Sequence, residues 1–155
     1  DFITVDNAAT MLSRGYDVVL DAIDDARAKV AIAAWCRAHQ LPLVMTGGAG
    51  GRLDPTRMQA GDLAKATGDR LLAKVRNQLR REHGFPKGER SKFGIPCIYS
   101  DEQVRKPDAS CAVEPAAEDT GLTGLNCAGY GSSVCVTAPF GMAAAALVLN
   151  LLLKS

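Results

Sequence analysis

Three carboxylates stand together at Asp21-Ala-Ile-Asp24-Asp25, directly after the apolar run Val18-Val-Leu20. A carboxylate at the end of a buried parallel strand lies on the edge where open α/β sheets gather ligands. It is suited to magnesium carried on nucleotide phosphates, because that cation takes one or two carboxylates and leaves its other positions to phosphate and water. Asp25 also has a structural use: it precedes a helical stretch as a capping residue and has Lys29 four residues further on as an ion-pair partner. Asp24 lies nearer the strand end and is the preferred ligand, with Asp21 as the second candidate.

Other chemistry is mostly excluded. The chain has no G-x-x-x-x-G-K-[ST] phosphate loop and no G-x-S-x-G elbow. Gly48-Ala-Gly50-Gly-Arg-Leu53 and Gly129-Tyr-Gly131-Ser-Ser-Val134 begin like dinucleotide fingerprints but fail at the third glycine, which close helix packing requires. The only histidines are His39, placed to close a helix, and His83, inside a basic run. Cys36, Cys97, Cys111, Cys127 and Cys135 form no C-x-x-C pair, so a zinc ribbon is excluded and a reducing, cytoplasmic setting is favoured. Cys127 lies among glycines before an apolar helix, a place where a thiol pKa can fall; it is the one candidate reactive thiol. Cys36, Cys97 and Cys135 read as core residues.

A formal charge of +1 over 155 residues hides a segregation. Residues 65–92 hold nine bases and three acids, whereas the stretches on either side are net acidic. Lys74, Arg76, Arg80 and Arg81 lie on one predicted helix within that segment and are candidate contacts to nucleic-acid phosphates. Phe85 and Phe93 are candidate base-stacking residues.

These residues need a frame. Tyr16 to Asp24 reads as a buried parallel strand, Ala26 to Gln40 as a helix, and Leu41 to Thr46 as a second apolar strand ending in Gly47-Gly-Ala-Gly-Gly51. Strand, helix and strand form a βαβ unit, so the fold class is α/β with a parallel or mixed sheet. Met58 to Ala64 is a further candidate strand and Gly68 to His83 a cationic amphipathic helix, with Leu71, Leu72, Val75 and Leu79 inward. Gly84 to Arg90 reads as a loop, Ile95 to Ser100 as a short strand, and 101–120 as an irregular, mobile segment. An apolar helix over about 137–154 closes the chain. Its strictly apolar part, Ala138 to Leu153, has 16 residues, short of the roughly 20 of a membrane span. A buried or dimer-facing helix is therefore expected over a membrane contact. The chain opens on Asp1 in a strand-like segment, with neither Met nor a signal-peptide layout, as expected of a fragment.

Asp21-Ala-Ile-Asp24, followed by Pro42-Leu-Val-Met-Thr-Gly-Gly48-Ala-Gly-Gly-Arg-Leu-Asp-Pro55, resembles the ubiquitin-activating-enzyme-like superfamily of ThiF, MoeB and HesA. Within it, Gly47 to Gly51, Asp54-Pro-Thr56, Asp62-Leu-Ala-Lys65 and the late Cys127 are similar to the tRNA threonylcarbamoyladenosine dehydratase branch. The resemblance covers nearly the whole chain. It implies a Rossmann-like ThiF-type domain of which residues 1–155 are the carboxy-terminal part, with 65–92 as a basic insertion. It implies ATP and Mg2+ as cofactors, tRNA as substrate, and Asp24 beside the ATP phosphates as the catalytic carboxylate. A homodimer and a CsdA/CsdE-type cysteine desulfurase partnership, with Cys127 as its thiol, are further implications. The implied reaction activates the threonyl carboxylate of the modified adenosine with ATP and closes a ring with net loss of water. The superfamily's glycine-rich nucleotide loop, ribose-binding acid and activating arginine and lysine precede this part of a full-length member. Two alternatives stand beside this reading. One is a ThiF- or MoeB-like adenylyltransferase of a sulfur-carrier protein's C-terminus, which the missing paired zinc cysteines argue against. The other is a non-catalytic tRNA-binding or dimerisation module.

Overall fold

The apolar run after Tyr16 contracts to a three-residue strand, β1 (Val19–Asp21), in the computed structural model, which describes residues 2–105 and 131–153. Helix α2 (Ala26–Ala38) follows, started by Asp25, whose carboxylate accepts the Ala28 N–H at 2.8 Å. Strand β2 (Leu43–Thr46) comes next and is buried along its whole length. It lies between β1 and β4 (Pro96–Ser100) and is parallel to both, so it has no solvent face and its sequence shows no alternation. Strand β3 (Met58–Asp62) closes the sheet as an antiparallel edge, giving the order β1-β2-β4-β3. The sheet is therefore mixed.

Alternation along the central strands divides the core into two layers. Leu43, Met45 and Cys97 face Val30, Ala33 and Cys36 of α2 and Leu72, Val75 and Leu79 of α3 (Arg70–Glu82). Val44 and Ile98 point the other way, onto Val136, Phe140 and Ala144 of α4 (Val134–Leu152). Full burial of one such side chain is worth about 1.5–3 kcal/mol, so the two layers hold the sheet from both sides.

Three expectations change. The opening segment is no strand: Asn7 accepts the Thr4 N–H at 2.7 Å and donates to the Phe2 carbonyl at 2.8 Å, turning the chain into a short helix, α1 (Ala8–Leu12), that buries Ala8 and Leu12. The terminal helix starts at Val134 rather than 137, because Ser133 caps it by accepting the Cys135 N–H at 3.2 Å. By length and composition α4, with a mean hydropathy of 1.9, is able to cross a membrane. Here one stripe of it is seated on the sheet while Val134, Met142 and Leu149 are exposed. Of the segment expected to be irregular, only 101–105 lies within the described residues.

Candidate functional site

The carboxyl ends of β1 and β2 bring two of the predicted acids to one edge and treat them oppositely. Asp21 is the last residue of β1 and is buried. One of its oxygens accepts the Ile23 N–H at 3.0 Å, and the other accepts Lys29 Nζ at 3.1 Å. Lys29 Nζ also donates to the Thr46 carbonyl at 2.8 Å, which ties α2 to the end of β2. Burial pushes the Asp21 carboxyl up and the Lys29 ammonium down, and the attraction between the two opposes both shifts. The expected Asp25–Lys29 pair is thus replaced by Asp21–Lys29. Lys29 is one turn into α2 and faces the sheet, whereas Asp25 is occupied by its cap.

Asp24 is exposed and makes no hydrogen bond or ion pair among the described residues. A single open carboxylate fits magnesium delivered on nucleotide phosphates, which supply the remaining oxygens. Both oxygens of Asp21 already accept a hydrogen bond, one of them from the Lys29 ammonium, so Asp21 is the less available of the two acids. No group of three or more His, Cys, Asp or Glu able to hold a metal occurs among the described residues.

The glycine loop after β2 is built around a second buried ion pair that sequence reasoning missed. Arg52 donates to Asp69 Oδ2 at 3.0 Å and to the Gly48 carbonyl at 2.5 Å. The same Asp69 oxygen accepts the Gly48 N–H at 3.0 Å, and Oδ1 caps α3 by accepting the Leu72 N–H at 2.9 Å. Gly47 is required here, since a Cβ would lie 2.4 Å from Asp69 Oδ2. Glu102 holds the far end of the loop by accepting the N–H groups of Leu53 and Asp54 at 3.0 and 2.9 Å. The chain on both sides of 106–130 also meets this loop, as Gly51 donates to the Gly131 carbonyl and accepts the Arg105 N–H. Cys127 lies outside the described residues.

The basic segment divides by helical stripe. Leu72, Val75 and Leu79 are buried. Arg76 donates to the Ala66 carbonyl, while Arg80 donates to the carbonyls of Pro86 and Ala64 at 3.3 and 3.4 Å. These two arginines pin the segments before and after α3. Lys74 and Arg81 face solvent, with Arg81 in a surface pair with Glu82. The predicted stacking role of Phe85 fails: it is buried, edge-to-face with Phe93 at 4.8 Å and covered by the Arg37 guanidinium. Among the predicted core thiols, Cys36 and Cys97 are buried, and burial pushes them up to about 11 and about 12. Cys135 is exposed on the first turn of α4, whose apolar stripe leaves it outside the contact with the sheet.

The sequence and the architecture have relatives. The chain is 44% identical over 154 residues to the tRNA threonylcarbamoyladenosine dehydratase of Escherichia coli (strain K12), covering 97% of this chain and 57% of that protein. It is 38% identical to the enzyme of the same name from Haemophilus influenzae, over 99% of this chain and 57% of the relative. The crystal structure of the Escherichia coli enzyme, TcdA, in complex with ATP superposes with a TM-score of 0.79 at 39% identity, covering 99% of this chain and 55% of that one. Its complex with AMP also gives 0.79. The chain thus spans little more than half the length of the relatives it matches. The model of the ThiF family matches residues 1–155, and the chain belongs to that family.

Proposed function

We propose that this chain forms part of an ATP-dependent tRNA threonylcarbamoyladenosine dehydratase, acting in the cytoplasm on N6-threonylcarbamoyladenosine. The observation that carries the reading is the contrast at the carboxyl end of β1: Asp21 is satisfied by Lys29, and Asp24 is left open at the ligand-gathering edge. The identity to dehydratases, one of them solved with ATP and with AMP, supports the choice of nucleotide and substrate.

In the proposed reaction an oxygen of the substrate's threonyl carboxylate attacks a phosphorus of ATP; a P–O bond breaks, and ADP leaves if the carboxylate is phosphorylated, pyrophosphate if it is adenylylated. A nitrogen of the same substrate then attacks the activated carbonyl carbon. A C–N bond forms, the C–O bond to the activated oxygen breaks, and that oxygen departs on phosphate (or on AMP after adenylylation) while the nitrogen's proton passes to solvent. Magnesium held on the phosphates by Asp24 would neutralise the charge that develops there. Lys29 acts indirectly: by neutralising Asp21 and binding the Thr46 carbonyl, it keeps the ends of β1 and β2 in register. Residues 65–92 are read as a basic insertion in a single nucleotide-binding domain and as the phosphate footprint for tRNA. The exposed apolar side of α4 supports a homodimer through that helix, testable by light scattering on a Met142→Glu variant, which should shift the mass from dimer to monomer.

Mass spectrometry of tRNA nucleosides after incubation with ATP and the complete enzyme tests the assignment. A product one water lighter than the starting nucleoside is expected. Asp24→Asn should slow its formation by roughly 100-fold or more. An adenylylated carrier peptide with no change in the tRNA would instead establish the adenylyltransferase reading.

A further inference from the structure

The three stripes of α3 do not share one role, and the outermost faces a second basic element. Lys74, Asn77, Gln78 and Arg81 follow one another at helical spacing on the side of α3 away from its buried stripe. Across from them lie Ala26 and Arg27, on the first turn of α2, and the six residues enclose a cleft of about 360 Å³. Its lining holds three cationic side chains, two amides and a single methyl group. Arg27 follows Asp24 by three residues in the chain.

The geometry points to this α2–α3 cleft as the seat of an RNA phosphodiester backbone, with Arg27, Lys74 and Arg81 as the phosphate contacts and Asn77 and Gln78 as hydrogen-bond donors. The assignment rests on the proposed tRNA substrate and changes which residues meet it. Arg76 and Arg80 leave the footprint because their guanidiniums are spent on the carbonyls of Ala64, Ala66 and Pro86. Arg27 enters it from a different helix, outside the basic run.

Three observations favour a phosphate backbone over a protein partner. The lining offers no aromatic or large aliphatic anchor, which a protein interface concentrates at its centre. Its donors are arginine, lysine and side-chain amides, the groups that most often contact phosphate and sugar. Lys74 and Arg81 are seven residues apart, about 10 Å along the helix, far enough for the two cations to meet different phosphates of one strand. Among the described residues the one acid that reaches into the stripe is Glu82, bound to Gln78 at 2.7 Å and to Arg81 at 3.0 Å. Both contacts are solvent-exposed and readily exchanged for phosphate.

The test is the salt dependence of tRNA binding by the complete enzyme, measured by fluorescence anisotropy with labelled tRNA between 50 and 300 mM KCl, concentrations on the order that separates such slopes. Replacing Arg27, Lys74 and Arg81 together by Gln should lower the slope of log K against log salt by about 2 and weaken binding about 10- to 100-fold near 0.1 M salt. The control, Arg76→Gln with Arg80→Gln, should keep the slope while lowering Tm. A triple variant with an unchanged slope, or a control that loses it, overturns the cleft and leaves the proposed function standing. An unsubstituted enzyme that shows no salt-dependent tRNA binding overturns both.

Discussion

The two charged regions of this domain use the same residue types to opposite ends. At the carboxyl edge of β1 and β2, Lys29–Asp21 and Arg52–Asp69 are almost wholly withdrawn from water, and each cation also holds a backbone carbonyl. On the outer side of α3, Lys74 and Arg81 stand in solvent, and the Arg81–Glu82 pair is a surface contact. Buried charges are costly to leave alone and fix geometry when paired; exposed ones contribute little to folding and are available to a partner. Counting bases along the chain cannot separate the two uses. Only the direction each side chain takes does so.

The comparison is broken most severely at Lys29. Lys29→Met leaves the Asp21 carboxylate buried and unpaired and should cost about 3–5 kcal/mol in urea unfolding. Adding Asp21→Leu should recover a large part of that loss, since a buried pair exchanged for apolar groups is often close to neutral. Strictly additive losses in the double variant would show that the pair is not the coupled unit described. Asp69→Asn comes next. The amide oxygen can still cap α3, but the charge opposite Arg52 is lost, and destabilisation of about 2–3 kcal/mol is expected from the same measurement.

A smaller effect separates the stripes of α3 itself. Arg76→Gln removes a partly buried guanidinium from the Ala66 carbonyl and should cost about 1–2 kcal/mol. Arg81→Gln, by contrast, should leave the unfolding midpoint within the error of the measurement. Equal losses for the two would mean that the outer stripe is also structural, and the division within the helix would fail.

How far these roles are legible in sequence follows from their range. The βαβ unit, the cap at Asp25 and the buried stripe of α3 rest on local spacing, and all three are plain in the residues. An acid at the strand end is legible too, but it is Asp21: β1 stops there, and Asp24, expected nearer the strand end, stands three residues beyond it before α2. The partner of Asp21 is not legible, because Lys29 reaches it only after strand, turn and helix have folded back together. Arg52 and Asp69 are separated by 17 residues and a strand, and nothing local links them. Arg27 is hidden for a related reason: it joins the basic face across two packed helices, while a scan for charge runs stops at residue 65. Phe85 misleads in the other direction, since an aromatic in a basic loop has the composition of a stacking platform and here is core.

The finest test of the contrast is Glu82, which competes with any phosphate for Gln78 and Arg81. The hydrogen bond from Gln78 and the one from Arg81 hold its carboxyl below the ordinary glutamate range. A carboxyl depressed in the folded state adds stability that is complete above its unfolded pKa and lost as pH falls through the lower folded value. Being fully exposed, Glu82 adds so little that Glu82→Gln should only slightly flatten the acid limb of a stability-against-pH curve. Its effect on RNA should be the more visible one. With the competing carboxylate gone, Arg81 is released and the local potential rises, so tRNA binding at low salt should tighten by a few fold. Weaker binding would mean that Glu82 orients Arg81 for its partner, so that even a surface pair in this helix is organised as the buried ones are.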